Sequence, residues 1–157
     1  MRILFVHPGA SMSTADVWSG LKAALERNGH EIYDYALDSR IERSGAYLTY
    51  CWTRGGKKLP KPLADDIIYH AGEELVARTL RVLPDVVLVV SAMYLHPDIF
   101  ILLKRAGAPV AVLFTESPYD DERQQRLVPY LRTAWTNERA SARTMGVGYL
   151  PHAWAKG

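Results

Sequence analysis

Five histidines, one cysteine and a few well-placed acids are the side chains of this sequence equipped for chemistry. The histidines are His7, His30, His70, His96 and His152, and no pair has the i, i+4 spacing that sets two imidazoles around a zinc ion on one helix face. Cys51 stands alone, which excludes an internal disulfide framework and a multi-cysteine metal site, so no metal is expected. A Gly-x-Ser-x-Gly elbow, which would announce a serine hydrolase, is missing. The stretch His7-Pro8-Gly9-Ala10-Ser11-Met12-Ser13-Thr14 has neither the G-x-G-x-x-G pattern nor a phosphate-binding lysine, so it is no dinucleotide or NTP fingerprint. Running into a helix, its amides and the hydroxyls of Ser11 and Ser13 would suit a phosphate or a sugar hydroxyl; an ordinary capped turn is the plain alternative.

Glu116 is the most informative acid. It follows an apolar run and precedes Ser117-Pro118-Tyr119, so its carboxylate should leave the core where that run ends, on a surface shared with His7 or Gly9. There it would accept hydrogen bonds from sugar hydroxyls, or act as a base if desolvation raised its pKa, or serve as a loop acid or helix cap. Asp120, Asp121 and Glu122 follow closely and would repel an anionic nucleotide. His152, after Tyr149-Leu150-Pro151, is a candidate general acid or base or anion contact, with a packed histidine as the alternative.

These residues need elements to position them. Ile3-Leu4-Phe5-Val6, Val86 to Val90 and Val110 to Phe114 are continuous apolar runs of the kind buried on both faces of a parallel sheet. Glu31 to Leu37, Thr133 to Thr136 and Val147 to Leu150 read as further strands. Between them lie helical patterns: Val17, Trp18, Leu21, Ala24, Leu25 and Asn28 before Gly29; Leu63, Ile67, Ala71, Leu75, Thr79 and Leu83 on one stripe, with Pro62 in the first turn; Pro97 to Ala106; Glu122 to Tyr130; and a helix capped by Asn137 and ended by Gly146. Residues 40–61 read as an irregular insertion or loop, with Tyr47, Leu48, Tyr50, Cys51 and Trp52 as a short edge strand or an aromatic-rich helical turn, and Arg54 to Lys58 and Pro60 to Pro62 as a basic loop. The alternation predicts an α/β fold: a Rossmann-like, doubly wound parallel sheet in three αβα layers, forming a single domain over 1–157. In such a sheet ligands bind beyond the carboxyl ends of the strands, which gathers His7 to Thr14, Ser91 to His96 (with Tyr94), Thr115 to Tyr119, Asn137 and His152 on one rim.

The chain's 157 residues suit one domain, and 48% hydrophobic with 23% charged residues is the balance of a folded globular protein. A net charge of +2 gives no argument for nucleic acid, a membrane surface or a strongly charged partner, and no apolar stretch is long enough to span a bilayer. With no signal-peptide core either, a cytoplasmic location is expected.

The rim segments Ser91-Ala92-Met93-Tyr94-Leu95-His96-Pro97, Leu113-Phe114-Thr115-Glu116-Ser117-Pro118-Tyr119, Thr136-Asn137-Glu138-Arg139-Ala140-Ser141 and Tyr149-Leu150-Pro151-His152-Ala153 occur in that order. Together they resemble the N-terminal domain of the CgeB-type spore-maturation glycosyltransferases, a branch of the GT-B glycosyltransferases. Where that family commonly carries two acids before Pro-Tyr, this chain carries Glu116-Ser117. The resemblance implies an acceptor-binding half of a nucleotide-sugar-dependent transferase. Its small-molecule or glycan acceptor would sit at this rim, and the nucleotide sugar in a C-terminal domain absent from this chain. It implies no cofactor in the present domain and no turnover by it alone, whether the transfer is inverting or retaining. Glu116 and His152 then become the catalytic candidates, and His7, Gly9, Ser11, Ser13, Tyr94 and Asn137 the acceptor or ligand contacts. Two rivals come from other classes: a stand-alone flavodoxin-like binding or regulatory module, holding a phosphate at Ser11 to Thr14, and a non-catalytic assembly protein using the rim or the Tyr47 to Trp52 patch.

Overall fold

The apolar runs do form the sheet. The structure, a computed structural model, describes residues 1–151. The elements in order are β1 (Arg2–His7), α1 (Ala15–Arg27), β2 (Glu31–Ala36), α2 (Leu37–Arg54), α3 (Ala64–Val82), β3 (Val86–Val90), α4 (Pro97–Arg105), β4 (Val110–Phe114), α5 (Asp121–Leu127), a 3-10 turn (Val128–Tyr130), β5 (Thr133–Thr136), α6 (Arg139–Met145) and β6 (Gly148–Tyr149). The six strands lie in the order β2-β1-β3-β4-β5-β6, and every neighbouring pair is parallel. β1 and β3 meet at the centre in the register Ile3 to Val86, and the Arg2 amide donates to the Asp85 carboxylate at 2.7 Å where they begin.

Strand direction decides which face each helix covers. The step from β1 to β2 runs opposite to the later steps, so right-handed crossovers leave α1 alone on one face. On that face Ile3, Phe5, Val90 and Leu113 pack under Val17, Trp18, Leu21 and Leu25 of α1. The larger core on the other face joins Leu4, Val6, Val87, Val89 and Val112 to Leu75, Ile99, Phe100, Leu103, Leu127 and Met145 from the remaining helices. Full burial of a Leu, Ile or Phe is worth roughly 1.5–3 kcal/mol, so this larger face dominates stability. α3 and α4 approach closely at Gly72, where a Cβ would stand 2.5 Å from Ile99. Tyr35 is buried there, its hydroxyl donating to the Ala71 carbonyl at 2.8 Å, with the Arg40 guanidinium 3.8 Å above its ring. Burial pushes its phenol up to about 12, with Arg40 pulling the other way.

The structure corrects the sequence reading in three places. Residues 40–61 are not one irregular region: α2 runs through Arg54, and only the segment after it is loop. Gly45, Thr49 and Thr53 are weak helix formers, and packing against α3 overrides them. Arg40 pairs with Glu74 at 2.5 Å, Ser44 Oγ lies 3.0 Å from His70 Nδ1, and Tyr47 stacks on His70. Pro62 precedes α3 instead of entering its first turn, and the extended Leu63 donates its amide to Asp66. Asn137 does not cap α6, because the backbone is still extended at Glu138, whose carboxylate accepts from the Ser141 amide at 2.5 Å.

The antiparallel α2–α3 hairpin outgrows the sheet. α3 ends beside the amino end of β1, where Arg2 donates to the Val82 carbonyl. Its 19 residues make a helix of about 28 Å, against roughly 17–20 Å for a typical strand. Tyr69 meets His96 edge-on at the carboxyl edge of β3, so the chain from about Ser44 to Ile68 stands past that edge. Among the described residues, no helix is long and apolar enough to cross a membrane.

Candidate functional site

Two clusters occupy the carboxyl edge, one on each side of the point where the strand order reverses between β1 and β3.

The β1–β2 cluster is built inward. His7, the last residue of β1, is only 2% exposed; its ring stacks on Trp18 with centroids 3.7 Å apart. His7 Nε2 lies 3.2 Å from the Asp34 carboxylate, which also receives Lys22 at 2.7 Å, while His7 Nδ1 is buried with no hydrogen-bond partner. Burial by itself would raise the Asp34 carboxyl; hydrogen bonds from Lys22 and His7, and their electrostatic pull, outweigh it and hold the group below the ordinary aspartate range. Gly9 has φ +119°, and a Cβ there would fall 1.9 Å from the Asp38 carboxylate. Its carbonyl accepts from the Trp18 indole at 3.3 Å, and the Pro8 carbonyl accepts from the Asp38 amide at 2.9 Å. Loop, α1 and the start of α2 are thus fastened together. Ser11 and Ser13 are exposed on the following turn, and Thr14, at the cap position of α1, makes no side-chain cap bond.

The β3–β4 cluster is built around Glu116. Thr115 Oγ1 donates to Glu116 Oε1 at 2.8 Å and the Thr115 amide to Oε2 at 3.2 Å. Ser91, directly after β3, donates its hydroxyl to the same Oε1. It does so from a backbone with φ +62°, a region a non-glycine residue seldom occupies. The Glu116 carbonyl caps the next turn by accepting from the Tyr119 and Asp120 amides. Behind it the buried Gln124 amide donates to Ser117 and Asp121, and Arg123 reaches the Met93 carbonyl at 3.0 Å. Glu116 is half-buried, so its carboxylate is fixed in direction with one face toward solvent. Such a group can accept a hydroxyl proton from a ligand laid across the edge.

The other named residues are placed as follows. Tyr94 is half-buried against the larger core. Asn137 is half-buried next to Thr136 after β5. His152 lies outside the described residues. Among the described residues, the hydrogen bonds of Glu116 run to Ser91, Thr115 and main-chain amides, and none reaches His7 or Gly9. Sequence reasoning missed Trp18, Asp34 and Asp38 as the cover of His7 and Gly9, and Gln124 as the buried brace behind Ser117. The only signal for the last was a polar residue three before Leu127 in a short helix. No group of three or more His, Cys, Asp or Glu among the described residues is arranged to hold a metal.

A cavity of about 240 Å³ opens at the opposite edge, between Leu131 to Ala134 and Gly146 to Gly148. Its only titratable lining group is Arg132, so it offers no acid, base or nucleophile. Comparison with known proteins returns no matching family model and no curated protein with significant similarity.

Proposed function

We propose that this chain is the acceptor-binding half of a nucleotide-sugar-dependent glycosyltransferase of the GT-B kind. The observation that carries the reading is Glu116, a carboxylate oriented by Ser91 and Thr115 at the carboxyl edge beside the switch point. In the proposed reaction an acceptor hydroxyl lies against Glu116 and loses its proton to the carboxylate. The acceptor oxygen bonds to the anomeric carbon, and the nucleoside diphosphate leaves with the electrons of the broken glycosidic bond. Asp120, Asp121 and Glu122 make this wall unfavourable for a diphosphate. The donor therefore belongs to a second domain across a cleft, Tyr94 and Asn137 are assigned to the acceptor side, and His152 is kept as the second catalytic candidate. The present chain needs no cofactor of its own.

The test is ligand binding to the chain itself. Saturation-transfer NMR with a panel of mono- and oligosaccharides should show contact that Glu116→Ala weakens by about tenfold, the value of one good charge-assisted hydrogen bond. Titration with UDP- and GDP-sugars should show no micromolar site, because one wall of a cleft buries too little of such a ligand. A micromolar nucleotide-sugar site, or sugar contacts indifferent to Glu116, would overturn the reading.

The strand order supports one alternative. β2-β1-β3-β4-β5 is also the order of flavodoxin-like sheets, which hold a phosphate at the loop after β1. Exposed Ser11 and Ser13 occupy that loop here. Added FMN should then bind with a shifted visible absorbance; under the glycosyltransferase reading it stays free.

A further inference from the structure

Five of the 19 basic residues and none of the 17 acidic ones fall between Arg43 and Ala64. This is the outer half of α2, the connecting loop and the cap of α3, most of the part of the hairpin that stands past the carboxyl edge; Asp65 and Asp66 follow at once in the first turn of α3. The whole-chain charge of +2 conceals this concentration. The cations share the tip with apolar side chains that nothing covers: Leu59 is 76% exposed, Leu63 70% and Tyr50 62%. Tyr47, Tyr50, Cys51 and Arg54 are all exposed, and their i, i+3, i+4, i+7 spacing makes one outward stripe.

The tip is also held in shape. The Gly55 amide donates to the Cys51 carbonyl at 2.9 Å, Lys57 to Trp52 at 3.1 Å, and the Trp52 indole to the Leu59 carbonyl at 2.8 Å. Gly56 and Lys57 both take positive φ, 69° and 57°, which turns the chain back within two residues. Lys57, Lys58 and Leu59 therefore present as a fixed wedge.

We propose that this wedge docks on an anionic lipid surface. Leu59, Leu63 and Tyr50 would enter the headgroup boundary while Arg54, Lys57, Lys58 and Lys61 face lipid phosphates and carboxylates. Charge complementarity alone would also admit a nucleic acid. That partner is disfavoured because single strands are held on open aromatic faces. Here the Trp52 ring is covered by Lys57 Nζ at 5.3 Å and Tyr47 lies on His70, so of these three rings Tyr50 alone stays open beside Leu59 and Leu63, too little for a stacking platform. This inference is independent of the glycosyltransferase reading, since no residue of the carboxyl-edge clusters takes part.

The experiment is flotation of the 157-residue chain with vesicles of phosphatidylcholine alone, and of phosphatidylcholine with about a third phosphatidylserine. The chain should float with the anionic vesicles only and be released by raised salt. K57E/K58E should weaken partition by at least about tenfold, and L59S/L63S by several-fold at unchanged salt dependence. All four positions are exposed, and unchanged circular-dichroism melting will show that the variants fold. Equal binding to neutral vesicles, no binding to either, or charge reversal without effect would overturn the proposal. So would tighter binding to a single-stranded oligonucleotide, or concentration-dependent dimerisation abolished by the same leucine changes.

Discussion

The β1–β2 corner and the β3–β4 corner of the sheet begin from the same device, a polar residue straight after an apolar run, and use it in opposite ways. At the first, α1 lays Trp18 over His7, and Asp34, Lys22 and Asp38 close around it, so the imidazole is part of the framework. At the second no helix among the described residues lies on top, and Ser91 and Thr115 hold the Glu116 carboxylate. The difference comes from the crossover direction, which gives α1 to one corner only. A polar residue at a strand end stays open to solvent where no helix crosses it and joins the framework where a helix does.

Substitutions at the covered corner should therefore cost stability, and those at the open corner chiefly binding. Gly9→Ala should have the largest effect, about 3 kcal/mol, since it combines a positive φ with a Cβ inside the Asp38 carboxylate. For a domain of this size the melting temperature should fall by roughly 6–12 °C. Trp18→Ala should cost about 2–3 kcal/mol by removing a half-buried ring from His7, with a matching loss of near-ultraviolet dichroism. If either change is neutral, the covered corner is not structural and the comparison fails.

At the open corner Ser91 offers an internal control. Ser91→Ala should cost about 1 kcal/mol through the lost bond to Glu116. Ser91→Gly should cost less by about 0.5–1 kcal/mol, because glycine relieves the strained φ. A denaturant titration of both separates the two contributions. Glu116→Gln should change stability by no more than about 1 kcal/mol, since one oxygen still accepts from Thr115. The smallest effect belongs to Asp34. Its carboxyl is held low in the folded chain, so its contribution is present above an unfolded value of about 3.9 and disappears as pH falls through the lower folded value. With the side chain 43% exposed, solvent screening keeps this to less than about 1 kcal/mol. Asp34→Asn should lower stability by that small amount at neutral pH and leave it little changed below the folded value, which flattens the acid limb of the stability curve.

The strands were legible because a run such as Val110 to Phe114 is buried along its whole length and needs no partner to be identified. α2 was not, because its helicity resides in the contacts of Arg40, Ser44 and Tyr47 with α3, which residues 37–54 taken alone do not display. Glu116 was legible as an acid at a strand end, and Ser91 stood in a polar segment at the same rim. What sequence could not supply was cover. His7 and Glu116 look alike in one dimension, and only the position of Trp18 in space separates them. Asn137 has the favoured capping chemistry, but the backbone stays extended one residue longer and Glu138 takes the role.

The pairing of β1 with β3 has a consequence for synthesis. Ile3 must find Val86, and the whole α2–α3 hairpin lies between them in the chain. At a translation speed of about 5–20 residues per second, β1 waits several seconds for its central neighbour after leaving the ribosome. β2 is made early and covers one side of β1, but the other side remains an open, apolar strand edge throughout that interval, the kind that pairs with foreign chains. The helices of the hairpin can assemble from nearby contacts during the wait, and the Asp85 amide then fastens to the Arg2 carbonyl as β3 arrives. The centre of this sheet is thus an edge left open through most of synthesis, sealed only when residues 86 to 89 emerge.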